Sequence, residues 1–190
     1  MAYLEIIVGP MFSGKTKKLI STYNSLKNTE SIIAINHSLD TRYGDNIICS
    51  HDKESVPSLM INDLFDSWFN EDNTHYKTIH NSEYILINEA QFFSQLYVSV
   101  KNMLENNKKV FIYGLDGDYL CKEFGEILKL IPLSSKIEKL SGICKMCGGN
   151  SIFTHRLSKN DSQVSVGNDN YIPVCRTCYM DLKVPMSEIR

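Results

Sequence analysis

The sequence predicts an α/β fold, a doubly wound and mainly parallel sheet followed by a small C-terminal appendage. Short apolar runs alternate with helical stretches through residue 140, the pattern of successive βαβ units. The runs are β-branched or aromatic and unbroken by polar alternation, as strands covered on both faces require. Beyond Ser141 the texture changes to glycine turns, polar stretches and paired cysteines. This divides the chain into a first domain over 1–140 and a second over 141–190.

Tyr3-Leu4-Glu5-Ile6-Ile7-Val8 reads as the first strand. It leads into Gly9-Pro10-Met11-Phe12-Ser13-Gly14-Lys15-Thr16, and a helix is predicted from Thr16 to about Lys27. Ile32-Ile33-Ala34-Ile35 is the second strand, Tyr84-Ile85-Leu86-Ile87 the third and Val110-Phe111-Ile112-Tyr113 the fourth. Residues 66–83 are polar and expected to be loop-rich. Gln95 to Glu105 sets Leu96, Val100, Met103 and Leu104 at helical spacing. Phe124 to Ile131 is a further short helix, ended by Pro132.

The octapeptide at 9–16 fits the phosphate-binding pattern G-x-x-x-x-G-K-S/T, with a strand before it and a helix after it. Its glycines let the backbone turn tightly, so that successive N–H groups point at phosphate oxygens. Lys15 can reach the terminal phosphates, and the Thr16 hydroxyl can hold Mg²⁺.

Four of the six cysteines form Cys144-x-x-Cys147 and Cys175-x-x-Cys178, separated by 27 residues. A redox pair or two disulfides are rival readings. In a reducing setting, two such units favour a tetrahedral zinc site closed by four thiolates, structural because no position is left for water. The segment also holds few apolar residues, and a metal staple suits it. Cys49 and Cys121 read as free thiols.

At 190 residues the chain can bury one full core and carry a small appendage. Its 43% hydrophobic and 22% charged content suits a soluble globular protein. A net charge of −2 argues against a dominant, non-specific grip on nucleic acid. No apolar run approaches the ~20 residues that span a membrane. The N-terminal residues enter a strand with neither a basic stretch nor a cleavable apolar segment, so a cytoplasmic location is expected.

Three segments follow predicted strands at the sheet edge where α/β proteins bind ligands. Asn88-Glu89 ends the third strand, and Glu89 there suits proton abstraction from a hydroxyl or organisation of Mg²⁺ better than it suits a solvated loop. Asp40-Thr41-Arg42-Tyr43 follows the second. By itself it is a surface turn; beside a phosphate loop its Arg can stabilise a transferring phosphoryl group. Gly114 to Tyr119 follows the fourth, and Tyr119 is either a stacking platform for a base or a packing residue.

Taken together, these segments resemble the type II thymidine kinases, the cellular and large-DNA-virus kind. The resemblance rests on G-P-M-F-S-G-K-T at 9–16, Asp40-Thr41-Arg42-Tyr43 and Asn88-Glu89-Ala90-Gln91-Phe92-Phe93. It continues through Leu115-Asp116-Gly117-Asp118-Tyr119, Lys122 and Phe124-Gly125. It closes with Cys144/Cys147, Thr154-His155-Arg156-Leu157, and Tyr171 ahead of Cys175-Arg176-x-Cys178-Tyr179. The motifs run in family order over nearly the whole chain.

The resemblance implies ATP-dependent phosphorylation of the thymidine 5′-hydroxyl, with Mg²⁺ and structural zinc. Lys15 and the loop amides would hold the triphosphate, with Thr16 on Mg²⁺ and Asn88 and Gln91 beside them. Glu89 would be the base, and Arg42 with Asp40 would act at the transferred phosphoryl group. Tyr119, Phe92, Leu115, Phe124 and Thr154 would surround the nucleoside. Gln163, Val164, Ser165, Val166 and Gly167, with Tyr171, match a base-binding lasso that zinc anchors in a small zinc-ribbon domain. A homotetramer inhibited by thymidine triphosphate is implied, with no nucleic-acid or membrane partner.

The chain departs from the family pattern in several places. Asn88 replaces an Asp that assists Mg²⁺, and Asn36 replaces a frequent Lys. Asp118 replaces a Thr, Tyr119 a Phe, and the lasso is one residue short around its glycines. Two other readings carry different expectations: a zinc-ribbon phosphate-loop ATPase on nucleic acid, and a weakly active relative that senses nucleotide.

Overall fold

The computed structural model describes residues 1–28, 30–40, 44, 46–158, 162–163 and 170–183. The elements run β1 (Tyr3–Val8), α1 (Lys15–Leu26), β2 (Ile32–His37), β3 (Ile47–Cys49), β4 (Ser55–Pro57), β5 (Leu59–Ile61), α2 (Leu64–Phe69), α3 (Tyr76–Asn81), β6 (Tyr84–Ile87), α4 (Leu96–Glu105), β7 (Lys109–Gly114) and β8 (Lys136–Lys139). There follow β9 (Gly142–Ile143), β10 (Asn150–Ser151), β11 (Phe153–Arg156), β12 (Tyr171–Val174) and α5 (Arg176–Lys183).

One six-stranded sheet has the order β5-β2-β6-β7-β1-β8, and every pairing in it is parallel. Side chains alternate across it with the period of two that a strand imposes. Leu4, Ile6, Val8, Ile35, Ile87 and Ile112 face a core closed by α2, α4 and a 3-10 segment at Ile127–Leu133. Ile7, Ala34, Leu86 and Tyr113 face Leu19 and Ile20 of α1 and the β3–β4 hairpin. The predicted two-face burial of the strands is therefore observed.

The connections explain where a cleft opens. Neighbouring strands β1 and β7 send their following segments to opposite faces, α1 to one and Ile127–Leu133 to the other. Such a divergence leaves a crevice at the carboxyl edge.

Two expectations needed correction. Residues 66–83 contain α2 and α3 as well as loop. Asp63 caps α2 through the Asp66 amide at 3.0 Å, and Trp68 is buried against His80, donating to Asn102 Oδ1 at 2.8 Å. Trp68 and Ile79, both buried, supply the apolar contact that the polar composition hides. Pro132 lies inside the 3-10 segment, not beyond its end; short i→i+3 turns do not need an unbroken ladder of N–H donors.

Downstream, β9 pairs with β10 and β11 with β12, both antiparallel. They enclose a small cluster of Cys144, Val174 and Tyr179, with Phe153, Ile172, Cys175 and Cys178 against it. Among the described residues, no helix is long and apolar enough to cross a membrane.

Candidate functional site

A cavity of about 290 Å³ lies at the carboxyl edge of the sheet. Met11 to Thr16, Asp40, Glu89 and Gln91 are among its lining residues, and so are Phe92, Leu115, Tyr119, Phe124, Thr154, Gln163 and Tyr171. Gly9, Pro10 and Asn88 are not among the lining residues. Arg42 and Val164 to Gly167 lie outside the described residues.

The loop from β1 to α1 is shaped by close approach. A Cβ at Gly9 would sit 2.5 Å from the Leu140 carbonyl oxygen, so only glycine fits between β1 and the end of β8. Lys15 Nζ donates to the carbonyls of Gly9 at 3.0 Å and Pro10 at 2.7 Å, which folds the side chain over its own loop. The Met11 N–H donates to Thr154 Oγ1 at 3.0 Å, joining the loop to β11.

Glu89 follows β6 with φ 48, a left-handed backbone that costs a residue with a side chain about 1–2 kcal/mol. A strained residue next to a cavity points to a function for the strain. Gln91 holds its carboxylate: Nε2 donates to Glu89 Oε2 at 2.7 Å, while Oε1 accepts from the Leu115 N–H at 3.0 Å. Because a backbone N–H only donates, the orientation of this amide is fixed. The segments after β6 and β7 are thereby tied together.

Asn88 Nδ2 donates to Asn36 Oδ1 at 2.9 Å. Asn36 in turn donates to Asp40 Oδ2 at 3.1 Å. His37 is buried between Phe92 and Phe93. Burial holds its imidazole below 6.5, opposed by a hydrogen bond to the Asn62 backbone and by the charge of Glu89.

The apolar end of the cavity is formed by Phe92 and Phe124, edge to face at 5.5 Å. Tyr119 carries the Arg156 guanidinium over its ring at 3.9 Å. Arg156, itself buried, donates through Nε to the Tyr171 hydroxyl at 3.1 Å and through its terminal nitrogens to the carbonyls of Ser162 and Gln163. Gln163 Nε2 also reaches Asp118 Oδ2 at 2.9 Å. Asp118 accepts the Leu120 and Lys122 amides through its other oxygen, so it bridges the turn after β7 to position 163.

The sequence reading missed Ser50, His51 and Asp52 at the tip of the β3–β4 hairpin. They line the cavity beside the loop, where His51 meets the Phe12 ring at 5.3 Å and Asp52 pairs with Lys17 at 3.0 Å. The only available signal was a polar tripeptide between short β-branched runs. Arg156 also had no role assigned, and its burial depends on partners distant in sequence.

The four paired cysteines place one ligand atom each within 4.8 Å of the others, away from the cavity lining. Cys147 Sγ and Cys175 Sγ are 3.7 Å apart. Tetrahedral zinc at about 2.3 Å from each sulfur requires S···S separations of about 3.8 Å, so the donor set fits such an ion. Tyr179, next to Cys178, donates its hydroxyl to the Tyr119 carbonyl at 2.8 Å. In the cleft, the Thr16 hydroxyl and Asp40 carboxylate supply the hard oxygens that magnesium takes.

A family model described as thymidine kinase matches residues 2–179. Thymidine kinase of Yaba monkey tumor virus is 35% identical over 182 residues, covering 95% of this chain and 96% of the relative. Thymidine kinase a of Arabidopsis thaliana is 35% identical, covering 93% of this chain and 74% of its own. Thymidine kinase of Bacteroides thetaiotaomicron is 36% identical, covering 93% and 86%.

Proposed function

The chain belongs to the thymidine kinase family and phosphorylates thymidine, and we propose that the two halves of the cleft divide the donor and the acceptor between them. The observation that carries this division is the position of Glu89, which shares one cavity with Met11 to Thr16 on one side and the Phe92–Phe124 wall on the other.

The donor is ATP. The loop amides of 9–16 and Lys15 grip its triphosphate. Magnesium, when bound, neutralises charge on the β- and γ-phosphates; Thr16, Asp40 and Asn88 are the residues to hold it. Arg42 acts at the transferred phosphoryl oxygens.

The acceptor enters over Phe92, Leu115, Tyr119 and Phe124, with Thr154 and Tyr171 at the rim. Gln163 to Gly167 form the lasso over its base edge. Glu89, oriented by Gln91, takes the proton of the 5′-hydroxyl as that oxygen attacks the γ-phosphorus in line. The bond to the β,γ-bridging oxygen breaks, leaving thymidine monophosphate and ADP.

Residues 141–190 form a separate zinc-stapled domain, with the ion held by Cys144, Cys147, Cys175 and Cys178. The protein acts in the cytoplasm as a homotetramer and is inhibited by thymidine triphosphate, without nucleic-acid or membrane partners. The direct test is transfer of γ-³²P from ATP to a panel of nucleosides. Label on thymidine supports the proposal; ATP hydrolysis stimulated by single-stranded DNA with no labelled nucleoside refutes it. Sedimentation and inhibition by thymidine triphosphate test the assembly and its regulation.

A further inference from the structure

Asn36 and Asn88 stand on the α1 side of the sheet. In β2, Ile33 and Ile35 face away from α1 while Ile32 and Ala34 face it; in β6, Ile85 and Ile87 are set against Tyr84 and Leu86 in the same way. The period of two carries positions 36 and 88 onto the α1 face, the face that bears the phosphate loop's helix. Register makes them neighbours: Ile35 pairs with Ile87, and the Asn88 N–H extends the ladder to the Ile35 carbonyl at 2.8 Å. Both residues are buried, with 1% and 3% exposure.

A third residue decides how both amides are turned. The Asp40 carboxylate only accepts hydrogen bonds, and it accepts one from Asn36 Nδ2 at 3.1 Å. Asn36 must then present Oδ1 to its other side, where it accepts from Asn88 Nδ2 at 2.9 Å. The free acceptor of this row of side chains is Asn88 Oδ1, which takes no hydrogen bond from a described residue. One buried amide thus orients two oxygen-bearing groups: Asp40, which lines the cavity, and Asn88, adjacent to Glu89.

We propose that Asn36 is a positioning residue for the divalent-cation side of the cleft. It holds the Asp40 carboxylate and leaves Asn88 Oδ1 as the acceptor for a water molecule on the cation. This rests on the kinase reading above. Mg²⁺ keeps several of its waters and takes few carboxylates, so a fixed neutral oxygen beside one carboxylate serves it through a bound water. Outer-sphere orientation of this kind governs metal affinity strongly.

The experiment titrates MgCl₂ against initial rate at saturating ATP and thymidine, with melting curves taken in parallel. Asn36→Leu removes both hydrogen bonds while keeping the branching of the side chain. The half-saturating Mg²⁺ concentration is expected to rise on the order of tenfold, with the thymidine KM held within about twofold. Asn36→Lys keeps the donor to Asp40 but its further N–H groups capture the Asn88 oxygen, so the Mg²⁺ requirement rises here too. Adding Asn88→Asp supplies a second oxygen at that position and returns the requirement toward wild type, at unchanged formal charge. If Asn36→Leu does not fold, the comparison of N36K with N36K/N88D carries the test. An unchanged Mg²⁺ requirement in N36L overturns the proposal, as does N36K/N88D performing no better than N36K. A thymidine KM that climbs in step with the Mg²⁺ requirement marks a merely structural residue and overturns it as well. Wild-type protein that phosphorylates no thymidine at any Mg²⁺ concentration overturns the kinase reading itself, and this inference with it.

Discussion

The backbone N–H of Met11 donates to Thr154 Oγ1 at 3.0 Å, so the loop between β1 and α1 and the strand between the two cysteine pairs are joined across 143 positions of chain. Both residues also line the cavity. Thr154→Val keeps the shape and removes the acceptor, leaving the amide with about 1–3 kcal/mol of lost pairing. Because the contact touches both halves of the cleft, the KM for ATP and that for thymidine should each rise several-fold. Steady-state kinetics in both substrates checks this; an effect on thymidine alone would separate the loop from the strand.

The cysteine segment reaches the cavity by another route, the Tyr179 hydroxyl on the Tyr119 carbonyl at 2.8 Å. Cys175→Ser removes one of four sulfurs from the cluster. Atomic absorption should find one zinc per chain in the wild type and much less in the variant, with a lower melting temperature. Thymidine KM should rise more than ATP KM, since Tyr119 stands at the proposed acceptor end. Wild-type protein that contains no zinc would refute the assignment of the ion.

Gly125 is held at φ 65, and a Cβ there would lie 2.2 Å from the Gln91 carbonyl oxygen. Gly125→Ala must displace the backbone of the residue that orients Glu89. A stability loss of about 2–4 kcal/mol is expected in urea denaturation, together with a lowered kcat. An alanine variant as stable as the wild type would show that this approach is not needed.

His37 makes stability depend on pH with a definite sign. Burial depresses its folded-state value below 6.5, although the Asn62 backbone and Glu89 act the other way. The unfolded chain therefore binds a proton first as pH falls, and this contribution to stability is full above about 6.5 and lost through the window below it. His37→Phe should flatten the fall in urea midpoint between pH 7 and pH 5. An equally steep fall in the variant would assign the dependence to other groups.

Much of the sheet could be read from the sequence because β1, β2, β6 and β7 are short β-branched runs that need no partner to be recognised. The hairpin β3–β4 and strand β5 have three residues each, too few for a period to emerge, and with them went Ser50, His51 and Asp52. Helix α2 is hard to see in a polar stretch because it buries only Leu64, Ser67 and Trp68, too few for a helical period to stand out. At the site, the glycine-lysine loop and the paired cysteines are local patterns and stand out in one dimension. The Asn36–Asn88 pair and the Arg156 contacts are tertiary, formed between residues 52 positions apart or at the crossing of three segments. Composition carries no trace of them.

Phosphoryl transfer from ATP to thymidine by Glu89→Gln, beside wild type, tests most directly whether the cleft is a two-substrate site with Glu89 as its base. The variant keeps the shape of the side chain and the thymidine KM should stay near that of the wild type. Its kcat should fall by about 10²–10⁴. Undiminished turnover in Glu89→Gln would contradict the assignment and move the proton acceptor elsewhere in the cleft.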